Sequence, residues 1–66
     1  MYRVWFTFEN PLGGWVRDYL DNSGRGFNND EAVAIARELE ARGHEYVKIY
    51  KIGSAADAEE QKLKGE

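Results

Sequence analysis

The chain has 66 residues, and a chain this short buries only about 60 % of the surface that its unfolded form exposes, which excludes a multi-domain assembly and a large substrate cleft. Its 9 Lys and Arg against 12 Asp and Glu residues give a net charge of −3, without the positive excess of a typical nucleic-acid-binding module. It contains no cysteine, which excludes disulfides, thiolate metal sites and a cysteine nucleophile.

Residues 2–9 are predicted to form the first strand. The even-numbered residues of this run are all apolar, whereas the odd-numbered ones mix polar groups with one tryptophan, and this alternation is typical of a strand with one buried face. No basic segment followed by an apolar segment precedes the strand, so we expect no signal peptide. Together with the lack of cysteine, this favours a cytoplasmic protein. The even-numbered residues, expected to face the core, are Tyr2, Val4, Phe6 and Phe8.

A turn and a second strand are predicted next. The turn covers residues 10–14, where Pro11 fixes one φ angle and two glycines accept positive φ. The second strand covers residues 15–21, and the loop that joins the two strands has the length of a hairpin connection. The polar and apolar residues of the second strand do not alternate cleanly, which favours a position at the edge of the sheet. The sequence does not decide which face Trp15 occupies.

Residues 29–42 are predicted to form a helix. Asn28 stands at the N-cap and Glu31 at the third helical position, which is the pattern of a capping box. Gly43 follows the last turn, where glycine commonly ends a helix. The apolar residues recur at helical spacing and form one stripe that should pack on the sheet. They are Ala32, Ile35, Ala36 and Leu39.

Residues 44–52 are predicted to form the third strand. Val47 and Ile49 have the same parity and are expected to face the core. If the even-numbered residues of this strand faced the core instead, Lys48 would be buried, and burying an unpaired charge costs free energy.

The tail, residues 53–66, has a different composition, without aromatic or β-branched side chains. Ser54 and Asp57 have the spacing of a cap for a short helix. Leu63, however, is the only large apolar residue of the tail, so little apolar surface is available to hold such a helix on the domain. The tail is therefore predicted to be frayed or disordered.

The order of the elements predicts a single α+β domain over residues 1–52 with the arrangement β-β-α-β. The hairpin makes the first two strands antiparallel, and a right-handed crossover through the helix brings the third strand to the other side of the first. The predicted fold is a three-stranded antiparallel sheet of order 2-1-3, with one helix packed on one face and a flexible C-terminal tail.

The second face of this sheet is expected to be open, because one helix covers only one face. By parity it carries tryptophan and tyrosine rings interspersed with basic groups, while most of the acidic residues lie on the helix and the tail. Exposed apolar patches commonly mark interfaces, and aromatic residues and arginine are enriched there. We call this predicted binding surface the aromatic-basic face, and it consists of Arg3, Trp5, Arg17, Tyr19, Lys48 and Tyr50.

This face predicts a non-catalytic intracellular interaction module that binds a protein partner or a second copy of itself as a homodimer. One alternative is a single-stranded nucleic-acid-binding module that stacks bases on the same rings. Another is a small accessory or inhibitory protein of a mobile element. A third interpretation is purely structural, because cross-strand aromatic pairs stabilise small sheets. Neither a membrane nor a small-molecule substrate is an expected partner.

Motifs for other chemistry are weak. Residues 24–26 form a glycine loop before a helix, but Asp30 and Glu31 in the first helical turn would repel a bound phosphate. A calcium loop that starts at Asp21 would place Arg25 where an oxygen ligand is needed. The single histidine, His44, follows the helix and is expected to cap it or lie at the surface. We therefore predict no catalytic residue, cofactor or metal site.

Overall fold

The computed structural model describes residues 1–64, in which three strands and two helices form. The strands are β1 (Tyr2–Glu9), β2 (Trp15–Leu20) and β3 (Glu45–Lys51), and the helices are α1 (Asn29–Ala41) and α2 (Ala55–Lys64). The sheet has the order β2-β1-β3, and β1 runs antiparallel to both neighbours. The predicted α+β fold and strand order are confirmed. Over residues 1–64, neither helix has the length and apolar character needed to cross a bilayer.

Helix α1 covers one face of the sheet and builds the main core. Its three buried residues pack against Val4 and Phe6 of the central strand. Val47 and Ile49 of β3 are partly buried against the same cluster, so their predicted inward orientation is confirmed. The side chain of His44 packs its edge on Phe6, with ring centroids 4.9 Å apart. The buried residues of α1 are Ala32, Ala36 and Leu39.

Both predicted ends of α1 are confirmed. The Asn28 side chain accepts a hydrogen bond from the Glu31 N–H at 2.8 Å, and the Glu31 carboxylate accepts one from the Asn28 N–H at 3.1 Å. At the other end, Gly43 has a φ of 92° and donates its N–H to the Glu40 carbonyl, and His44 donates to Leu39. These two bonds satisfy carbonyls that the last turn leaves without a helical partner.

The tail differs from its prediction. Residues Ala55–Lys64 form helix α2, which lies on the second face of the sheet against β2 and β3. The predicted cap is present, because the Asp57 N–H donates to the Ser54 hydroxyl at 3.2 Å. The prediction of a frayed tail rested on a lack of apolar side chains, but α2 is held through two buried carboxylates. The part of that prediction that concerns residues 65 and 66 lies outside the described residues.

A buried glycine joins the second loop to the sheet. Gly26 has a φ of 81°, and a Cβ atom there would lie 2.6 Å from Met1 Cβ and 2.7 Å from Ile52 Cδ1. The neighbouring Gly24 has a similar φ of 90°, but a Cβ on it would meet no atom within 4 Å. A side chain at Gly24 would therefore be strained only by its φ angle, whereas one at Gly26 would also overlap neighbouring atoms.

Gly26→Ala is expected to destabilise the fold more than Gly24→Ala. Both substitutions place a side chain at positive φ, which costs about 1–2 kcal/mol, and only Gly26→Ala adds overpacking, which costs about 1–3 kcal/mol more. Urea unfolding of the two variants measures the difference. Equal losses in the two variants would show that the close packing around Gly26 is not maintained in solution.

Candidate functional site

The strand register brings all six residues of the aromatic-basic face to the same side of the sheet. Trp5 of β1 lies opposite Tyr19 on one side and Lys48 on the other, and Arg3 lies opposite Tyr50. Directly opposed residues in antiparallel strands project from the same face. Arg17 joins them through its pairing with Thr7. Trp15 pairs with Glu9 and therefore lies on this side as well.

This face is not open, which corrects the sequence-based expectation. Helix α2 lies across it, and Trp5 is 0 % exposed. Arg3, Arg17, Tyr19 and Tyr50 are only partly exposed, whereas Lys48 remains at the surface. The physical reason is that the acidic side chains of α2, which looked like a solvated surface in the sequence, neutralise the basic groups of the sheet.

Asp57 is the main contact between α2 and the sheet. Its carboxylate accepts hydrogen bonds from the Trp5 indole N–H at 2.9 Å, from the Arg3 guanidinium at 2.6 Å and from the Gly53 N–H at 3.2 Å. Arg3 also forms an ion pair with Asp21 at 3.3 Å, so it lies between two carboxylates. Burial acts to raise the pKa of Asp57, but these hydrogen bonds and the charge of Arg3 outweigh it and lower the pKa below its ordinary value.

The lowered pKa of Asp57 predicts a loss of stability in acid. A carboxyl whose pKa is lower in the folded state contributes stability above its unfolded pKa, about 3.9, and this contribution is lost as the pH falls through the folded value. We therefore expect the free energy of unfolding to decrease when the pH is lowered below about 4. The decrease should be smaller in Asp57→Asn. Urea unfolding between neutral and acidic pH measures both. An identical acid profile in the two proteins would contradict the assigned role.

Glu60 forms the second buried contact, one helical turn further along α2. Its carboxylate accepts hydrogen bonds from Arg17 at 2.5 Å and from the Tyr46 hydroxyl at 3.2 Å. The Arg17 guanidinium lies over the Tyr46 ring, 4.8 Å from its centroid. The hydrogen bond from Arg17 to Glu60 raises the pKa of the guanidinium, which therefore stays charged.

A bulge in β3 directs Tyr46 toward Glu60. Trp5 pairs with Lys48 and Thr7 with Glu45, so two residues of β3 lie opposite one residue of β1. Tyr46 occupies this bulge with a φ of 54°, which is unusual for a bulky side chain. The sequence offered no signal for the bulge, because neither glycine nor proline marks it.

The charged cluster under α2 is internally satisfied. Over residues 1–64, every buried side-chain nitrogen and oxygen has a hydrogen-bond partner. Buried polar groups without partners cost free energy, so a complete network of this kind stabilises one arrangement of α2 on the sheet. The cluster therefore needs no additional ligand while α2 lies on it.

The exposed apolar side chains of the α2 side form a separate surface at the hairpin end. Trp15 is 58 % exposed and Leu63 of α2 is 51 % exposed. A cleft of about 350 Å³ lies between β2 and the end of α2 and is lined by Trp15, Val16, Arg17, Leu63 and Lys64. We call Trp15 and Leu63, with the cleft between them, the hairpin-end patch.

The sequence does not predict this patch as a unit. The mixed alternation of β2 leaves the orientation of Trp15 undecided, and the polar composition of the tail gives no reason to place Leu63 beside it. The proximity of the two side chains depends on α2 crossing the sheet toward the hairpin, which no local pattern encodes.

A comparison with protein-family models, curated proteins and solved structures finds no match to this chain.

Proposed function

We propose that the chain is a non-catalytic interaction module that binds a protein partner at the hairpin-end patch, in the cytoplasm that its cysteine-free sequence favours. The observation that carries the proposal is Trp15, an indole more than half exposed beside a half-exposed leucine from another element. Tryptophan is among the residues most enriched at the centres of protein interfaces. A cleft beside it offers a place for one apolar side chain of a partner.

The charges around the cleft favour a partner with acidic groups. Its two charged lining residues, Arg17 and Lys64, are both cationic, and Lys62 belongs to the same last turn of α2. Arg17 is paired with Glu60 inside the domain. The contact of Lys64 with Asp18, however, is long, at 3.9 Å between partly exposed side chains, so the two lysines are the cations available to a partner. Complementary charge steers association and suppresses wrong partners. The partner that fits is a protein segment with one large apolar side chain flanked by carboxylates.

A second copy of the chain fits this patch less well. A two-fold dimer uses the same patch on both subunits, which would bring the cationic rim of one copy toward that of the other. Like charges brought together at an interface cost free energy. A different protein with an acidic segment avoids this repulsion, so we favour it over the homodimer.

A peptide-display library panned on the immobilised full-length chain tests the proposal. We expect the enriched peptides to combine an aromatic or aliphatic residue with neighbouring Asp or Glu. Their affinity should fall at least about tenfold in Trp15→Ala, as for a residue at the centre of an interface. Leu20→Ala is the matched control, because Leu20 is also an exposed apolar residue of β2 but projects from the opposite face.

Three results would overturn the proposal. They are a library without enrichment, enriched peptides that are predominantly basic, and peptides that bind Trp15→Ala as tightly as the unsubstituted chain. A labelled thymidine oligonucleotide is titrated in parallel. If it binds with a steep salt dependence and the peptides do not, the chain is a nucleic-acid-binding module instead.

A further inference from the structure

The structure leads to a second inference, which concerns the surface beneath α2. We propose that the aromatic-basic face is a binding surface for an acidic helix of a partner protein, and that α2 occupies this surface until such a helix displaces it. This surface is distinct from the hairpin-end patch. Three features of α2 support this proposal: the carboxylates that it places on the sheet, its incomplete cover of the aromatic rings, and its short link to β3.

The occupant shows which ligand chemistry the face accepts. Asp57 and Glu60, three residues apart on one side of α2, place their carboxylates on Arg3 and Arg17 respectively. Two aromatic side chains complete the recognition, because the Trp5 indole donates to Asp57 and the Tyr46 hydroxyl to Glu60. A helix with two carboxylates at this spacing satisfies the same donors, whichever chain supplies it.

The apolar part of the fit is poor. The buried residues of α2 are Asp57 and Glu60, and Leu63, its single large apolar side chain, is half exposed at the helix end. Of the four aromatic rings beneath this helix only Trp5 is fully buried, whereas Tyr19 and Tyr50 stay partly exposed and Tyr46 is 44 % exposed. Affinity from apolar contact grows with the area removed from water. A partner helix with larger side chains between the two carboxylates would therefore bind better than α2. The four rings belong to Trp5, Tyr19, Tyr46 and Tyr50.

The connection allows α2 to leave without dismantling the main core. The core cluster between α1 and the sheet contains no residue of α2. A short link around Gly53 joins α2 to β3, and Gly53 has a φ of 86° with open space at its Cβ position. A glycine in such a position accommodates changes of backbone direction at low cost. Release of α2 therefore requires movement at this link, loss of the carboxylate contacts and exposure of Trp5, while the α1 core stays in place.

The covalent link also explains why the face is covered in the free chain. A segment attached by a short connection acts at an effective concentration in the millimolar range. Even a modest intrinsic affinity of α2 then keeps the face occupied. A partner helix must either bind more tightly than α2 or be present at high local concentration.

Native-state hydrogen exchange of the unsubstituted chain tests whether α2 is released on its own. We expect the amide protons of α2 and the Trp5 indole proton to exchange at least about tenfold faster than the slowest amides of β1, through an opening smaller than global unfolding. Equal protection of these three sets of protons would overturn the inference, because α2 would then leave only when the whole domain unfolds.

A peptide with the sequence of residues 53–64 tests the ligand chemistry. It is titrated against a Trp15→Phe chain, in which Trp5 is the single tryptophan, that also carries Asp57→Asn and Glu60→Gln to weaken the built-in occupant. We expect saturable binding and a shift of the Trp5 emission to shorter wavelength. A peptide carrying the same two substitutions is the matched control and should bind at least about tenfold more weakly. If the chain with both carboxylate substitutions is unfolded, Asp57→Asn alone carries the test.

Equal binding of the two peptides, or no binding to the folded variant, would overturn the inference. Binding of a thymidine oligonucleotide at the expense of the acidic peptide would also overturn it, because the face would then prefer phosphates. These readouts follow Trp5 and α2, whereas the test of the hairpin-end patch follows Trp15. Failure of one proposal is therefore distinguishable from failure of the other.

Discussion

Asp57→Ala is expected to lower the free energy of unfolding by about 3 kcal/mol, because removal of one partner from a buried ion pair leaves the other charge poorly compensated. Arg3 would keep its contact with Asp21, but the Trp5 indole and the Gly53 N–H would lose their acceptor. A single core in a chain of this size rarely supplies more than about 3–5 kcal/mol. The substitution should therefore remove a large share of the stability, up to the free energy that holds α2 on the sheet.

Chemical denaturation at neutral pH measures this loss. Glu59→Ala is the matched control, because Glu59 belongs to the same helix and is exposed. Surface substitutions of this kind usually change stability by less than about 0.5 kcal/mol. If Asp57→Ala and Glu59→Ala behaved alike, the buried contacts of α2 would not exist in solution.

The two tryptophans are expected to differ sharply in their contribution to stability. Trp5 is fully buried between the sheet and α2, so Trp5→Ala leaves a large cavity and an unpaired Asp57, and losses for Trp→Ala in a core are about 3–5 kcal/mol. Trp15 projects into solvent at the hairpin end, and Trp15→Ala should change stability by less than about 0.5 kcal/mol.

Thermal unfolding of both variants, followed by circular dichroism, gives this comparison without relying on tryptophan fluorescence. A small loss for Trp5→Ala would mean that the indole is not part of a packed layer. A large loss for Trp15→Ala would mean that Trp15 has a structural role, which would weaken its assignment to a binding surface.

Local patterns account for the half of the fold that faces α1. The alternation of β1, the apolar stripe of the helix and the capping box of Asn28 with Glu31 each specify an element through contacts within a few residues. Those elements then leave few ways to pair the strands. For this reason the strand order and the inward orientation of Val47 and Ile49 follow from the sequence.

The face covered by α2 is held by ion pairs, which the spacing of apolar residues along the sequence does not reveal. Helix α2 is attached through Asp57 and Glu60, and acidic residues in a polar segment normally indicate a solvated surface. Their partners, Arg3 and Arg17, lie more than 40 positions away in the sequence. Only the folded arrangement shows that these charges meet. The apolar content of α2 alone therefore does not predict that this helix covers the face.

One signal in the sequence that pointed correctly to α2 was its cap. Ser54 and Asp57 have the spacing of a helix start, and the structure contains that hydrogen bond. A second signal lay in the charge asymmetry of the chain, which sets a basic, aromatic sheet face against an acidic C-terminal segment. Complementary charge between two parts of one short chain favours an internal contact as much as an external partner.

The exposure of Trp5 in solution distinguishes a sheet face covered by α2 from an open one. In the full chain carrying Trp15→Phe, Trp5 is the single tryptophan, and acrylamide quenching reports on its exposure alone. We predict emission at short wavelength and weak quenching, because α2 seals the indole against Asp57. Quenching as strong as that of a free indole in water would show that α2 does not cover the sheet, and would contradict the structure on which both proposals rest.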